Sequence, residues 1–318
     1  MRALTYEIPT NRSDLPALRQ VELPVPQVTD GVVLVRVSYA GLSNFDLETS
    51  RGKRNGALAR SLKKEAVVSG IEMAGTVESD GKTVKRGDRV VGYTNIIRGP
   101  FFHADYVAIP ENKLARIPEN MTLQGAASLI GGALTSIAAL ERIADVKAEQ
   151  QVLITGATGS VGITAVQLAS HLGAQVCGVC HSSQTDFLLQ QGVTTACAYD
   201  RNELPPSANQ FDVVFDTAPS LCFLACTNYL KQQGTYITTM PHLDVLGFVS
   251  SLFSRRKWGY LMEADTDAKR MSRLLGLMET GAFGAVIDSI YPLAQANEAF
   301  QRQLKPGKQG KILIDFSE

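Results

Sequence analysis

The fold is decided by residues 151–169, QVLITGATGSVGITAVQLA. The first five residues form a short apolar run, which is typical of a buried strand in a parallel sheet. After the glycines, apolar side chains continue at the spacing of a helix that packs on a sheet. The glycines therefore lie at a predicted turn from strand to helix.

A glycine-rich turn in this position is typical of dinucleotide-binding folds. Gly156 allows a tight turn, Gly159 lets the backbone approach a pyrophosphate, and Gly162 lets the helix pack closely on the strand. The free amides at the start of the helix then face the phosphates. Turns of this kind also occur without a ligand, so a purely structural turn stays open. The predicted binding residues of the turn are Gly156, Ala157, Thr158, Gly159, Ser160, Val161 and Gly162.

Length and composition indicate an ordinary globular protein with room for two domains. The chain has 318 residues, of which 45% are hydrophobic and 19% charged. Lysine plus arginine and aspartate plus glutamate both number 31, so net charge gives no indication of a nucleic-acid or membrane partner. The N-terminus has no apolar segment of the kind found in signal peptides, and we expect no transmembrane helix.

The five cysteines all lie between Cys177 and Cys226. Their odd number and clustering indicate reduced thiols and a cytoplasmic protein. Cys177 and Cys180 have the spacing of a metal-binding pair, but they lie in an apolar, strand-like run and are interpreted as buried small side chains. Cys222 and Cys226, on a predicted helix, are interpreted in the same way.

The pattern of elements changes along the chain. Residues 1–125 contain many short strands with Gly and Pro between them, which predicts a compact, barrel-like β domain. From residue 126, a buried helix is followed by alternating strands and helices, which predicts an α/β fold with a doubly wound parallel sheet. The predicted strands include 31–37, 71–78, 104–109, 151–155, 175–180, 196–198, 211–216, 234–239 and 311–316; the predicted helices are 126–140, 163–171, 184–191, 220–230, 268–279 and 294–304.

Two segments allow more than one interpretation. Arg51–Lys64 is basic and is predicted to be a solvated loop or helix face, with phosphate binding as the alternative. Leu246–Trp258 is apolar and then basic; a core or subunit contact is preferred over a membrane-surface anchor because the apolar part is short.

The order of several short motifs resembles the zinc-independent quinone oxidoreductase branch, which includes zeta-crystallin, of the medium-chain dehydrogenase/reductases. The resemblance extends over nearly the whole chain, and no single motif decides it. The motifs that carry it are GLSNFD at 41–46, SGIEMAGTV at 69–77, GDRV at 87–90, ALTS at 133–136, GATGSVG at 156–162, FDVVFDT at 211–217 and GKI at 310–312.

This resemblance implies a split architecture. Residues 1–125 and 266–318 are expected to form a GroES-like catalytic domain, and residues 126–265 an inserted Rossmann domain that binds NADPH. It also implies a homodimer, in which an edge strand near Trp258–Met262 pairs with its twin.

The ligands of zinc-dependent relatives are missing at the matching positions. Ser43 stands where those relatives have a Cys, and Gly70-Ile71-Glu72 stands for their Gly-His-Glu stretch. Alcohol oxidation by zinc therefore lacks its Lewis acid. We expect hydride transfer from the reduced nicotinamide to a quinone or an α,β-unsaturated carbonyl (enone) instead.

The cofactor is predicted to be NADPH. NAD sites usually carry an acid at the end of the second strand, whereas this chain has His181, Ser182 and Ser183 there. Tyr199 is expected near the adenine, and the resemblance puts Thr135 near the nicotinamide. Further cofactor contacts are predicted at the ends of later strands, from Thr217, Ala218, Thr239 and Met240.

The predicted catalytic residues are Asn44 and Tyr93, with solvent as the alternative proton source. Asn44 is also a candidate cofactor contact, and a structural role in a turn is the alternative. His103 is expected to pack in the core. Two other functions stay open: a nucleotide-binding protein with little catalysis, and a zinc-dependent alcohol dehydrogenase.

Overall fold

The computed structural model describes residues 1–7, 17–50, 68–94, 99–203, 205, 208–261 and 266–317. Its strands are β1 (Arg2–Glu7), β2 (Ala17–Glu22), β3 (Val32–Leu42), β4 (Glu72–Val77), β5 (Arg89–Tyr93), β6 (Tyr106–Pro110), β7 (Leu114–Arg116), β8 (Gln151–Thr155), β9 (Gln175–Cys180), β10 (Thr195–Ala198), β11 (Phe211–Asp216), β12 (Leu230–Thr238), β13 (Lys257–Gly259), β14 (Ile287–Pro292) and β15 (Lys311–Asp315). Its described α-helices are α1 (Asn44–Ser50), α2 (Leu123–Ile137), α3 (Ser160–His171), α4 (Thr185–Gln190), α5 (Phe223–Cys226), α6 (Val245–Ser251), α7 (Ala268–Glu279) and α8 (Ala296–Leu304). The basic segment Arg51–Lys64 lies outside the described residues, as does Met262.

The chain divides into two compact units. Unit 1 comprises Met1–Gly131, Ala264–Glu279 and Ala285–Glu318, and unit 2 comprises Gly132–Glu263 and Thr280–Gly284. The two ends of the chain share one unit and the middle forms the other.

Unit 1 is built mainly from antiparallel sheet. Strand β3 pairs with β4, β6 and β15, while β5 joins β4 to β7. The inward side chains of β3 alternate with outward ones, as the period of a strand requires. Val33 and Val35 are fully buried and pack in the core with Phe300 of α8, whereas Arg36 is exposed.

Unit 2 contains a parallel sheet with helices connecting its strands. Among the described residues the strand order is β10-β9-β8-β11-β12-β13, and every pair is parallel. This is the Rossmann order, which reverses direction between β8 and β11 and binds its ligands at that switch point. The doubly wound α/β fold predicted from the sequence is confirmed, and β8, β9 and β11 have their predicted bounds.

The predicted helix 220–230 is wrong for most of its length. Only Phe223–Cys226 is helical, and Leu230 already pairs with Phe211 as the start of β12. The cause lies in the carboxylate of Asp216, which accepts hydrogen bonds from the backbone amides of Ser220 and Leu221 and so holds the chain in a loop.

The cysteine thiols are free in unit 2. Cys177 and Cys180 are buried on β9, as predicted, and the Cys177 sulfur lies 3.5 Å from that of Cys197. Cys222 is exposed just before α5, so its interpretation as a buried side chain is wrong. Among the described residues, no group of three or more His, Cys, Asp or Glu side chains is placed to hold a metal ion.

The buried helix predicted from Ala126 is longer than expected. Helical structure extends over Leu123–Ile143. Within the described part of the chain, this one helix is long enough and apolar enough to span a membrane. Since 78% of that apolar window is buried within the protein, its composition is that of a core helix.

Candidate functional site

The three glycines of the turn after β8 differ in the space that the structure leaves for a side chain. Gly156 has a φ of +59°, and a Cβ there would lie 2.7 Å from the Cβ of Ala218. A Cβ on Gly162 would overlap the carbonyl oxygen of Gly156. A Cβ on Gly159 would meet only that oxygen, at the ordinary distance of 3.4 Å. The fold therefore requires Gly156 and Gly162 but leaves open space at Gly159, where a ligand can reach the backbone.

The start of α3 offers unsatisfied donors beside this space. The helix has 12 residues, and Gly159 is its N-cap without a side-chain hydrogen bond. The first amides of a helix have no acceptor within it, which leaves those of Ser160, Val161 and Gly162 to bind an anion. An uncapped helix start next to open backbone fits a pyrophosphate group.

The ends of β11 and β12 lie beside the turn. Thr217 donates a hydrogen bond from its hydroxyl to the carbonyl of Thr155, at 2.6 Å, and Ala218 lies against Gly156. The Thr239 amide donates to the carbonyl of Asp216 at 3.2 Å, and Met240 follows. The structure thus brings the predicted contacts from three strand ends together.

Asp216 connects these strand ends from within. Its carboxylate is fully buried and accepts a hydrogen bond from the Thr155 hydroxyl at 2.5 Å. It also accepts bonds from Ser220, Leu221 and Tyr236. Because every oxygen is occupied by the protein, we assign Asp216 a positioning role.

Helix α2 approaches the same turn. The Ser136 hydroxyl contacts the carbonyl of Val161 at 3.3 Å and the hydroxyl of Thr164 at 2.9 Å. A Cβ on Gly132 would lie 2.5 Å from the carbonyl oxygen of Ser160, so this glycine is needed for the close packing. Thr135, the predicted nicotinamide contact, precedes Ser136 on this helix and is half-buried.

An acid that the sequence analysis missed lies at the end of β9. Asp200 accepts hydrogen bonds from both the amide and the hydroxyl of Ser182, each at 2.7 Å. The bond from the Ser182 hydroxyl holds the pKa of the Asp200 carboxyl below its usual value. Its oxygen also lies 3.5 Å from Nε2 of His181. The residues that directly follow β9 include no acid, but Asp200, which follows β10, supplies one beside them.

Strand register explains why Asp200 was missed. Ala198 pairs with Cys180, so the residues that follow β10 lie beside those that follow β9. A parallel ladder of the predicted strands 175–180 and 196–198 would have located this acid. The His181 ring also meets the half-exposed Tyr199 ring edge-on at 5.8 Å, which groups the predicted adenine contact with His181 and Ser183.

In unit 1, the turn that contains Asn44 is tightly held. Asp46 is fully buried and accepts bonds from the amide and hydroxyl of Ser43, at 2.8 and 2.6 Å, and from the Tyr6 hydroxyl at 2.7 Å. Burial, followed by the charge of Asp46, raises the pKa of Tyr6 well above its usual value. Asn44 is exposed, and its carbonyl oxygen accepts a bond from Gln303 at 2.8 Å.

The positions that match zinc ligands are committed to other partners. Ser43 donates to Asp46, and Ile71 carries no ligand atom. Glu72 forms a buried ion pair with Lys311, and its other oxygen accepts a bond from the Gly131 amide at 2.6 Å. These side chains do not fit a catalytic zinc site, which needs free His, Cys or carboxylate ligands.

His103 and Tyr93 are buried in unit 1. His103 has no exposed surface; its Nδ1 lies 2.7 Å from the Ser69 hydroxyl and its Nε2 lies 3.2 Å from the carbonyl of Gly41. Burial lowers the pKa of this imidazole, so it is neutral and structural. Tyr93 is 4% exposed at the end of β5, and its catalytic role stays a prediction.

Family models and known proteins match both parts of the chain. The alcohol dehydrogenase GroES-like domain matches residues 29–119, and the zinc-binding dehydrogenase model matches residues 186–314. A chloroplastic quinone-oxidoreductase homologue of Spinacia oleracea is 28% identical over 315 residues, which is 94% of each chain.

Solved structures resemble the whole chain. A quinone oxidoreductase from Coxiella burnetii superimposes with a TM-score of 0.84 at 24% identity and covers 99% of both chains. The human synaptic vesicle membrane protein VAT-1 homolog-like protein gives a TM-score of 0.81 at 25% identity, over 100% of this chain and 98% of the other. With its GroES-like unit, its Rossmann sheet and these relatives, the chain belongs to the medium-chain dehydrogenase/reductase superfamily, in its quinone oxidoreductase-like branch.

Proposed function

We propose that this oxidoreductase transfers a hydride from NADPH to a quinone or an α,β-unsaturated carbonyl compound without a metal ion. The observation that carries the proposal is the open backbone at Gly159, next to uncapped helix amides and three converging strand ends. The spinach relative is named as a quinone-oxidoreductase homologue, which supports the same class of acceptor.

When bound, the reduced nicotinamide supplies the electron pair and one hydrogen as a hydride. The acceptor takes this hydride and then a proton, which yields a hydroquinone or a saturated carbonyl compound. The amides of Ser160 to Gly162 would hold the diphosphate, and Thr135, next to Ser136 on α2, would contact the nicotinamide.

The metal-free character rests on the chemistry of the side chains. Ser43 and Glu72 occupy the positions of zinc ligands, and both are fully engaged by Asp46 and by Lys311 with Gly131. Quinones and enones are electron-poor and accept hydride without a Lewis acid, provided that the acceptor is oriented and water is excluded.

NADPH remains the proposed donor on account of the loop His181–Ser183. The exposed Arg201 supplies positive charge, His181 supplies a ring nitrogen, and Ser183 supplies a hydroxyl. Asp200 opposes this preference, because a 2′-phosphate must compete with its carboxylate for the donors of Ser182. We propose that Asp200 reduces the advantage of NADPH over NADH.

Two further proposals accompany this function. Asn44 polarises the acceptor carbonyl or contacts the cofactor, and solvent or Tyr93 supplies the proton. We also propose a cytoplasmic homodimer in which β13, the edge of the described parallel sheet, pairs with its twin.

A nucleotide-binding protein with little catalysis is the second candidate. Two observations on the predicted catalytic side chains favour it. The Asn44 carbonyl oxygen already accepts a bond from Gln303, and Tyr93 is buried.

Equilibrium binding and turnover distinguish these candidates. The protein is titrated with NADPH and NADH, and then mixed with each cofactor and a panel of quinones and enones while nicotinamide absorbance is followed. Cofactor binding with acceptor-dependent loss of absorbance supports the reductase. Tight binding without turnover supports the second candidate, and stoichiometric zinc with alcohol oxidation would restore the zinc-dependent alternative.

A further inference from the structure

Two thiols face each other across the strands at one end of the described parallel sheet in unit 2. Cys177 lies on β9 and Cys197 on β10, and their sulfur atoms are 3.5 Å apart. The strand register pairs Cys197 with Val179, two residues after Cys177. Residues two apart on a strand point to the same face, so both thiols lie on one face of the sheet as diagonal neighbours.

The surroundings of this thiol pair are apolar. Both side chains are 6% exposed and belong to a buried cluster with Phe211 and Val214. Helix α4 covers the opposite face of β9, where a Cβ on Gly178 would lie 2.7 Å from a side-chain carbon of Leu188. In the described residues around the pair, the nearest partner that each sulfur has is therefore the other sulfur.

The contact between the two sulfur atoms makes their acidities unequal. A hydrogen bond from the Cys177 thiol lowers the pKa of Cys197 below its usual value. The same bond raises the pKa of Cys177. The thiolate is the form of cysteine that reacts with oxidants, so Cys197 is the first of the two to react. Cys177 is then close enough to act as the resolving thiol.

We propose that Cys177 and Cys197 form a reversible disulfide when a hydroperoxide oxidises the folded protein. In the first step the Cys197 thiolate attacks one oxygen of the hydroperoxide and the O–O bond breaks. Cys197 becomes a sulfenic acid, and the other oxygen takes a proton and leaves as an alcohol, or as water when the oxidant is hydrogen peroxide. In the second step the Cys177 sulfur attacks the Cys197 sulfur, and the hydroxyl group leaves as water with the proton of Cys177. The two thiols lose two electrons, which reduce the hydroperoxide.

The offset of the two cysteines makes this disulfide easy to reduce. A disulfide is about 2.05 Å long, so the sulfur atoms must approach each other by about 1.5 Å. Because the cysteines are offset by two residues along the strands, we expect part of the approach to come from a shift of β10, the edge strand of the described sheet. A disulfide formed in this way is strained, and strained disulfides are the labile ones.

The same shift reaches the predicted adenine end of the cofactor site. β9 continues into Ser182 and β10 into Asp200, and these two residues are joined by two hydrogen bonds of 2.7 Å. A shift of β10 therefore moves Asp200 and, through it, Ser182. We expect weaker NADPH binding by the oxidised protein, because the reduced arrangement is the one that brings the predicted contacts together. This consequence rests on the proposed function, whereas formation of the disulfide does not.

Peptide mapping of the full-length protein tests the proposal. The reduced protein is treated with hydrogen peroxide, alkylated, and digested with chymotrypsin, which cuts at Phe187 between the two cysteines. Mass spectrometry is expected to find a crosslink between the Cys177 and Cys197 peptides that dithiothreitol removes. In Cys177→Ala we expect a sulfenic acid at Cys197 that dimedone traps, and in Cys197→Ala none at Cys177.

Cys180→Ala and Cys222→Ala are the matched controls. Cys180 is 2% exposed on the same strand but, three residues from Cys177, on its other face, and Cys222 is the exposed thiol before α5. Both variants are expected to keep the crosslink. Near-UV circular dichroism and Tm establish that each variant is folded. Isothermal titration calorimetry then compares the Kd for NADPH of the reduced and oxidised Cys222→Ala protein, which we expect to differ about fivefold.

Three results would overturn the proposal. The first is absence of the crosslink in the peroxide-treated wild type, which requires no variant to fold. The second is loss of the crosslink in Cys180→Ala, because the disulfide then involves a different thiol. The third, equal Kd values for the reduced and oxidised protein, contradicts the connection to the cofactor site. Failure of the reduced protein to bind NADPH would instead contradict the proposed function, and the peptide mapping would still decide whether the disulfide forms.

Discussion

Replacement of Gly159 by alanine separates ligand binding from folding. The backbone of Gly159 has φ −74° and ψ 171°, which alanine adopts without strain, and the new Cβ meets only one atom at 3.4 Å. We expect the free energy of unfolding to change by less than about 1 kcal/mol, because the restriction of the unfolded chain by alanine and the preference of an N-cap for glycine over alanine oppose each other.

The same methyl group occupies the space through which a phosphate reaches the amides of Ser160 and Val161. A hydrogen bond to a charged group contributes about 1.5–3 kcal/mol. Loss of one such bond, about 1.5–3 kcal/mol, weakens the Kd for the dinucleotide about 10- to 150-fold. Isothermal titration calorimetry with NADPH and NADH measures this change, and thermal unfolding measures stability.

Two further glycine variants serve as references for this experiment. Gly162→Ala forces a Cβ into the Gly156 carbonyl oxygen and lies 2.7 Å from Cα of Ala157, so we expect a loss of about 1–3 kcal/mol of stability. Gly276→Ala on α7 has no atom within 4 Å of its Cβ and leaves cofactor affinity unchanged. A folded Gly159→Ala variant with wild-type dinucleotide affinity would refute the assignment of this turn to phosphate binding.

The remaining predictions concern charged and titratable groups. Asp200→Asn removes the carboxylate that occupies Ser182, so the Kd for NADPH falls about three- to tenfold relative to that for NADH; an unchanged ratio in parallel titrations contradicts the role of Asp200. Glu72→Gln leaves Lys311 charged and buried without its partner and costs about 3–5 kcal/mol in chemical denaturation. The double variant Glu72→Gln/Lys311→Met recovers part of this loss, and failure to recover any would argue against the ion pair as the cause. Burial lowers the pKa of His103 from 6.5. Below about pH 6.5 the unfolded state therefore binds a proton that the folded state does not, and stability decreases as the pH is lowered. In His103→Phe the decrease in unfolding free energy between about pH 7.5 and about pH 5.5 is smaller, and an identical decrease in both proteins contradicts this prediction.

Local sequence signals predicted the parts of the fold that depend on local physics. The apolar run 151–155 and the glycines after it indicated a strand, a turn and a helix, and the structure has all three. The placement of Thr217 and Thr239 beside the glycine turn followed from the rule that ligands bind at the carboxyl ends of parallel strands, and their contact with a cofactor stays a prediction.

Other features do not follow from the apolar spacing alone. The helix expected at 220–230 is mostly a loop because Asp216, four and five residues earlier, accepts bonds from the Ser220 and Leu221 amides, and this local competition is not visible in the apolar spacing. Asp200 reaches Ser182 only through the register of β9 and β10. The sequence left a core contact and a subunit contact open for Leu246, because an apolar run has the same composition in both; the exposure of Leu246 in the single chain excludes only the core contact.

The position of Asp216 has a consequence for the energetics of ligand capture. One carboxylate joins the end of β8 through Thr155, the loop after β11 through Ser220, and β12 through Tyr236. The loops that would surround a dinucleotide are thereby ordered before it arrives, so little conformational entropy is lost on association. More of the interaction energy of the ligand therefore contributes to its affinity, because less of it is needed to order the surrounding loops.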